Sequence, residues 1–320
     1  MSLIPTTGLI GVEDVAAAAD RIQDRVRRVV LSPVDAGAFG EAEVWFAHEY
    51  LQHTGTFKAR GAANLATWHL AAGTMPDAGV TIASGGNAGL ACAWAAQATG
   101  TTATVFIPTN TPAFKVAKLR AYGATIRQVG SEYADALAGS IEFAQQSGAL
   151  LSHAYDHPLV VAGAGTMARE IHAQLPDFDT LVVAVGGGGL FAGTAAALSG
   201  TGKRIVVVEP EHSRALNAAL AAGEPVDVPV ASVAADSLGA RRVSRAAYDF
   251  ACHPDVSSVL VSDEAIVAAR QSLWDHHRIV VEHGGAVALA ALASGAYSPA
   301  SAERVVVVLC GANTDPSDLI

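Results

Sequence analysis

The sequence predicts an α/β fold of two interleaved open, mostly parallel sheets flanked by helices. Three observations carry that expectation. Short Val/Ile-rich runs alternate with longer Ala-rich segments along the whole chain. The runs are apolar throughout, as strands covered on both faces must be, rather than alternating apolar with polar. Glycine-rich turns follow several of them, where open α/β sheets place their ligands. With 320 residues, 51% of them hydrophobic, the chain can bury a substantial core in one large or two medium domains.

In chain order, the β-branched runs Val80 to Ala83, Ala103 to Ile107 and Thr125 to Val129 predict the first strands. Leu181 to Val185, Arg204 to Glu209, Val259 to Val261 and Val305 to Leu309 predict the later ones. The intervening helices are read over 87–99, 113–122, 133–147, 166–175, 190–198 and 263–275, each with apolar residues at helical spacing. Thr54-Gly55-Thr56 marks a turn leading into a further helix. No low-complexity linker and no solenoid repeat interrupts the pattern, so two interleaved domains are expected. The division read here is a large domain from 1–52 and 153–320 and a small one from 53–152, with Lys58 near the junction.

Composition excludes several classes. The formal net charge is -10 and Lys and Arg form no cluster or stripe, which argues against nucleic acid as a partner. The three cysteines, Cys92, Cys252 and Cys310, show no CxxC spacing, so neither a disulfide framework nor a zinc site is expected and a reducing cytoplasm is the natural compartment. The N-terminus reads as a short neutral stretch followed by an amphipathic run from Gly11 to Arg28, not an apolar signal core, and no uninterrupted apolar run suits a bilayer.

Two features carry chemistry. Lys58 lies beside Phe57, and burial against an apolar ring lowers an amine's pKa and makes it nucleophilic. Gly186 to Gly189 follow the strand Leu181 to Val185 and precede the helical Leu190 to Thr194. Four consecutive glycines cost chain entropy, so close backbone approach to a ligand accounts for them better than an ordinary turn does. The helix N-terminus there favours a dianion. The run is neither a GxGxxG fingerprint nor a Walker loop, since no GK[ST] follows. An amine for an aldehyde and a cradle for a phosphate are together what pyridoxal 5'-phosphate requires. Ser84-Gly85-Gly86-Asn87-Ala88 forms a second strand–helix junction whose free N–H groups suit a carboxylate, although Ser and Asn are also ordinary caps. Cys310 and Glu282 read equally as a core thiol and a first-turn helix acid. His53, His153 and His283 have no metal-binding spacing, and no GxSxG elbow is present.

The ordered set TFKARGA, SGGNAG, VGGGGL, VEHGGAVALAA and LCGAN resembles the fold-type II pyridoxal-phosphate enzymes (tryptophan synthase beta-like), within them the serine/threonine dehydratase branch, from about Arg28 to the C-terminus. The resemblance implies that Lys58 carries the cofactor and that Gly186, Gly187, Gly188, Gly189 and the Leu190 N–H cradle its phosphate. It puts Phe57 beside the ring, Asn87 at the ring hydroxyl, Cys310 at the ring nitrogen and Glu282 within the cofactor site. Ser84, Gly85, Gly86, Asn87 and Ala88 would take the substrate carboxylate, with Lys58 and Ser84 as the catalytic pair. It further implies a homodimer acting on a small β-hydroxy amino acid, L-threonine or L-serine, to release a 2-oxo acid and ammonia by β-elimination. A neutral thiol at the ring nitrogen suits elimination better than transamination or racemisation.

Two departures from related patterns bear on this. Gly85 stands where racemases of the group carry a second serine, and Ala215 stands where a divalent-cation site after Glu209 would need an Asp, so no metal is expected. The chain also stops soon after Asn313, which suggests a catabolic or specialised role without isoleucine feedback. The rival readings are a β-replacement synthase or a hydroxyaspartate dehydratase on the same scaffold and, from another class, a non-catalytic phosphate-ligand-binding protein.

Overall fold

The structure, a computed structural model, describes residues 10–319; the neutral stretch before residue 10 lies outside them. Ten strands are present among the described residues: β1 (Leu31–Pro33), β2 (Glu43–Ala47), β3 (Val80–Ala83), β4 (Ala103–Ile107), β5 (Thr125–Gln128), β6 (Leu150–Leu151), β7 (Thr180–Ala184), β8 (Arg204–Pro210), β9 (Val256–Val261) and β10 (Arg304–Val308). The helices in order are α1 (Val12–Ile22), α2 (Lys58–Ala71), α3 (Asn87–Thr99), α4 (Ala113–Ala121), α5 (Tyr133–Ser147), α6 (Pro158–Gln174), α7 (Gly189–Leu198), α8 (Ala215–Ala222), α9 (Ala235–Leu238), α10 (Arg245–Ala251), α11 (Asp263–His277) and α12 (His283–Ala293).

Two sheets result. The larger has six strands in the order β1-β2-β10-β7-β8-β9, parallel except for the edge pair β1–β2. The smaller has four, β5-β4-β3-β6, all parallel. The valine run of β10 explains its central place. Side chains of a strand alternate between faces, so Val306 and Val308 enter the core on one side of the larger sheet and Val305 and Val307 the core on the other. All four are fully buried, each contributing on the order of 1.5–3 kcal/mol. The first of these cores includes residues of α1, α6, α7 and α10, and the second residues of α11 and α12. No helix among the described residues is long and apolar enough to cross a membrane.

Every strand read from the sequence is present, with ends shifted by three residues or fewer. The larger differences have physical causes. Helix α6 begins at Pro158, eight residues ahead of the expected Thr166. Proline suits a first helical position, and the His157 Nδ1 accepts from the Leu159 N–H at 3.2 Å as its cap. The glycines of Val160 to Gly165 concealed this helix. They are there because α6 crosses its neighbours closely: a Cβ on Gly163 would stand 2.7 Å from the Arg60 carbonyl oxygen of α2, and one on Gly165 2.4 Å from the Gly193 carbonyl oxygen of α7. Strands β1, β2 and β6 escaped sequence reading, β2 because Glu43 to Ala47 alternates in exposure, as befits a strand near the sheet edge.

Candidate active site

Lys58 is the first residue of α2, and the chain leading to it is tied to the end of β10. Thr56 bridges Gly311, and the Phe57 N–H donates to the Cys310 carbonyl at 3.2 Å. The lysine amine donates to the Ala154 carbonyl at 3.1 Å and stands 4.8 Å from the centre of the Phe57 ring. Burial pushes its pKa down to about 8, against the opposing influence of Cys310 and Glu282. An amine with that pKa is half unprotonated near pH 8, as a nucleophile and base requires.

The four glycines join β7 to α7. Lys58, Phe57, Gly186 to Gly189, Leu190, Tyr155, Ser237 and Cys310 line a single cavity. A Cβ would be tightly crowded at Gly186 and would collide at the other three. It would meet the Leu238 Cα at 3.0 Å from Gly186, the Tyr155 ring at 2.4 Å from Gly187, the Ala247 Cβ at 2.3 Å from Gly188 and the Tyr155 carbonyl oxygen at 2.7 Å from Gly189. Gly188 also has φ +95°, a conformation L-residues avoid. The first N–H groups of α7 lack helical partners, so this turn offers bare donors with no room for side chains. Buried amine, glycine cradle and thiol fit pyridoxal phosphate.

Cys310 follows the end of β10, and its thiol donates to the Gly284 carbonyl at 3.6 Å. Burial first, then the nearby Glu282, push its pKa up to about 12, so it is neutral at physiological pH. Glu282 is the N-cap residue of α12 rather than a first-turn acid. Its carboxylate does not cap that helix but accepts from the Asn87 amide at 2.8 Å, and burial raises its pKa. The Asn87 carbonyl in turn accepts from Asn313 at 2.8 Å, and Asn313 also donates to the Thr54 carbonyl at 2.7 Å. The side chain of Asn87 is thereby fixed from both ends. This network ties the junction after β3 to the segment after β10, while the glycine tract meets Cys310 across the cavity. Ser84 directly follows β3, with its Oγ accepting from the Gly86 N–H at 3.3 Å. Ala88 is buried in the first turn of α3. A Cβ on Gly85 would make only ordinary contacts, 3.4 Å to Thr111 and 3.5 Å to Ile107.

Sequence reasoning gave no individual role to Tyr155 or Asn313. Tyr155 lies in a stretch without periodicity, and only the tertiary fold sets it against the glycines. Asn313 carried a signal, since a polar amide follows a strand-ending glycine. Arg242 pairs with Asp227 at 3.2 Å and donates to the Pro225 carbonyl at 2.7 Å.

Glu209 is fully buried near the end of β8, and its two oxygens accept the Leu216 and Asn217 N–H groups, each at 2.8 Å, capping α8. Burial outweighs those bonds and pushes its pKa up to about 7. A carboxyl raised in this way favours the folded state below its unfolded pKa of 4.5 and loses that benefit as pH rises to about 7. Over that interval wild-type stability is therefore expected to fall relative to Glu209→Gln by roughly 3 kcal/mol. Melting curves of both proteins at stepped pH check it, and parallel curves would refute it.

The comparisons with known proteins agree with this geometry. Residues 26–311 match the family described as pyridoxal-phosphate dependent enzyme. The L-threonine ammonia-lyase of Geobacter sulfurreducens is 36% identical over 306 residues, covering 94% of this chain and 75% of that protein. Among solved structures, maize serine racemase superposes with a TM-score of 0.90 at 28% identity, covering 98% of this chain and 96% of that one. Processed threonine deaminase isoform 2 from Solanum lycopersicum gives 0.87 at 27% identity, with coverages of 99% and 90%. With the site and these relatives in agreement, the chain belongs to the fold-type II pyridoxal-phosphate dependent enzymes, in their threonine and serine dehydratase family.

Proposed function

We propose that this protein is an ammonia-lyase that converts a small β-hydroxy amino acid, L-threonine or L-serine, to a 2-oxo acid and ammonia by β-elimination. The observation that carries the reading is one cavity lined by a lysine amine of depressed pKa, a bare glycine turn and a thiol kept neutral by burial. Relatives named L-threonine ammonia-lyase and serine dehydratase-like support the same substrate class.

In this proposal Lys58 holds pyridoxal phosphate, Gly186 to Leu190 hold its phosphate, Asn87 meets the ring hydroxyl, Cys310 meets the ring nitrogen and Phe57 stands beside the ring. When bound, the cofactor supplies an aldehyde for the substrate amine and an electron-withdrawing ring. The chain's own groups do the rest. The N–H groups of Gly85 to Ala88 and the Ser84 hydroxyl bind the substrate carboxylate. Asn87, oriented by Glu282 and Asn313, keeps its direction without rearranging. The Lys58 amine takes the Cα proton, a positioned transfer worth about 10² to 10⁴ in rate. Cys310, a weak donor that carries no charge, does not stabilise a positive ring nitrogen, so the electron pair from Cα is best released with the β-hydroxyl. Gly85 offers no side chain for a second base, which favours elimination over racemisation. Its surroundings have space for a Cβ, so the lack of a hydroxyl there is a chemical difference and not a steric necessity.

The domain division is part of the proposal. All four strands of the smaller sheet fall within 53–152 and all six of the larger within the flanking segments, which supports it. A cytoplasmic homodimer is proposed on the family resemblance, with the sedimentation mass of the purified protein as the check on the dimer. The deciding experiment supplies the pyridoxal-phosphate-loaded protein with L-threonine, L-serine, 3-hydroxyaspartate and O-acetylserine plus sulfide. Release of 2-oxobutanoate and pyruvate from the first two is expected. Cysteine formation without 2-oxo acid would instead establish a synthase.

A further inference from the structure

We propose that Arg60 is a positioning residue for the Lys58 amine, clamping the first turn of α2 between two carboxylates so that the amine keeps its place opposite the glycine cradle. Residues two apart on a helix leave it on nearly opposite sides. Lys58 accordingly faces the cavity, and Arg60 faces away from it into the protein.

Arg60 is 0% exposed, the largest fully buried side chain among the described residues. Its Nε and Nη2 donate to Glu49 at 2.6 and 3.1 Å, while Nη1 and Nη2 donate to Glu170 at 2.7 and 3.0 Å. Nη1 also reaches the Thr166 hydroxyl and Nη2 the Arg27 carbonyl, each at 3.1 Å. Only a planar guanidinium can make two forks at once, so lysine is not equivalent here. Burial opposes the charge, but Glu49 and Glu170 outweigh it and keep the guanidinium firmly protonated.

Two facts make the clamp more than a core staple. First, the start of α2 has little else to hold it in. Phe57 provides no side-chain cap, the Lys58 N–H finds only the Thr56 hydroxyl at 3.3 Å, and the amine itself makes one bond, to Ala154. A lysine at a helix N-terminus is disfavoured both by the helix dipole and by burial, so the first turn is under a standing tendency to move the amine outward. Second, the clamp reaches the cradle. Glu170 and Thr166 belong to α6, which α2 meets at Gly163; α6 meets α7 at Gly165 and Gly193, and α7 starts in the glycine turn. Fixing Arg60 on α6 therefore fixes the distance from amine to cradle.

The inference rests on the assignment of Lys58 as the cofactor lysine, so the primary readout uses protein freed of cofactor. Competitive amine labelling followed by mass spectrometry gives the apparent pKa of Lys58, whose titratable neighbours are Cys310, Glu282 and His153. In Arg60→Lys the first turn admits water and the pKa rises by about one unit, so the unprotonated fraction at pH 8 drops from about a half to about a tenth and labelling slows roughly five-fold. Affinity for pyridoxal phosphate falls at least ten-fold in parallel. Glu170→Gln and Thr166→Val, which keep side-chain volume, shift both readouts in the same direction by about two-fold. A purely structural staple would lower the melting temperature and leave the Lys58 profile unmoved. Folded variants with the wild-type labelling profile overturn the proposal, and if Arg60→Lys does not fold, unchanged profiles in the other two overturn it alone. A wild-type protein that binds no pyridoxal phosphate would instead remove the cofactor assignment, a separately readable outcome.

Discussion

Lys58→Met is expected to abolish 2-oxo acid release, by about 10⁴-fold or more, and at the same time to make the cofactor-free protein more stable. The first effect follows because, in the proposed mechanism, one amine both anchors the cofactor and moves the Cα proton, so nothing else in the cavity replaces it. Cys310 is held neutral with its pKa pushed up to about 12. The second effect follows from linkage. The folded-state pKa of about 8 lies below the unfolded value of 10.5. Below pH 8 the folded protein holds a buried cation, a penalty of about 3 kcal/mol. Between pH 8 and 10.5 the unfolded chain binds more protons than the folded one, so wild-type stability rises with pH and the penalty disappears. The advantage of Lys58→Met should therefore be largest at neutral pH and fade as pH approaches 10.5. Denaturant titrations of both proteins at pH 7 and pH 10 check it. A variant less stable than wild type at pH 7 would mean that the amine is hydrated in the folded protein. Reduction of the wild-type holoenzyme with borohydride should leave the label on Lys58 alone.

What could be read from the sequence was chemistry confined to short stretches. Val305 to Val308 declare a doubly covered strand because no polar residue interrupts them, and the glycine tract declares a close approach because four glycines have no local use. Lys58 was legible for a similar reason, through its apolar neighbour and the motifs that follow it in order. The partners of Arg60 were not legible. Glu49 and Glu170 lie 11 and 110 residues away, and nothing in TFKARGA distinguishes an arginine buried between carboxylates from one on a solvated helix face. Burial of charge is decided by the tertiary partner, which leaves no local mark. Helix α6 was concealed by the opposite effect: its glycines read as a loop, yet they permit close crossings with both α2 and α7. Glu282 shows an intermediate case. Its position at the start of a helix was correctly placed to within a residue, but its carboxylate serves Asn87, 195 residues away, instead of its own helix.

Gly188→Ala is expected to weaken pyridoxal-phosphate affinity by about 100-fold, near 2.7 kcal/mol, through the backbone and not through any lost side chain. Two costs combine at this residue. Its φ of +95° is one that alanine adopts only with strain, of order 1–3 kcal/mol, and the added methyl would stand 2.3 Å from the Ala247 Cβ on the rigid face of α10. Relief of either requires the turn to rotate, and rotation aims its N–H groups away from the phosphate they are proposed to bind. Gly85→Ala is the informative control. A Cβ there meets Thr111 and Ile107 at 3.4 and 3.5 Å, ordinary contact distances, so cofactor affinity should be retained while KM for the amino acid rises as the carboxylate loop gains bulk. Equilibrium dialysis against pyridoxal phosphate, with the two variants side by side, separates the outcomes. Equal loss in both would mean that general destabilisation, not the geometry of the cradle, governs binding, and equal retention would mean that the phosphate lies elsewhere.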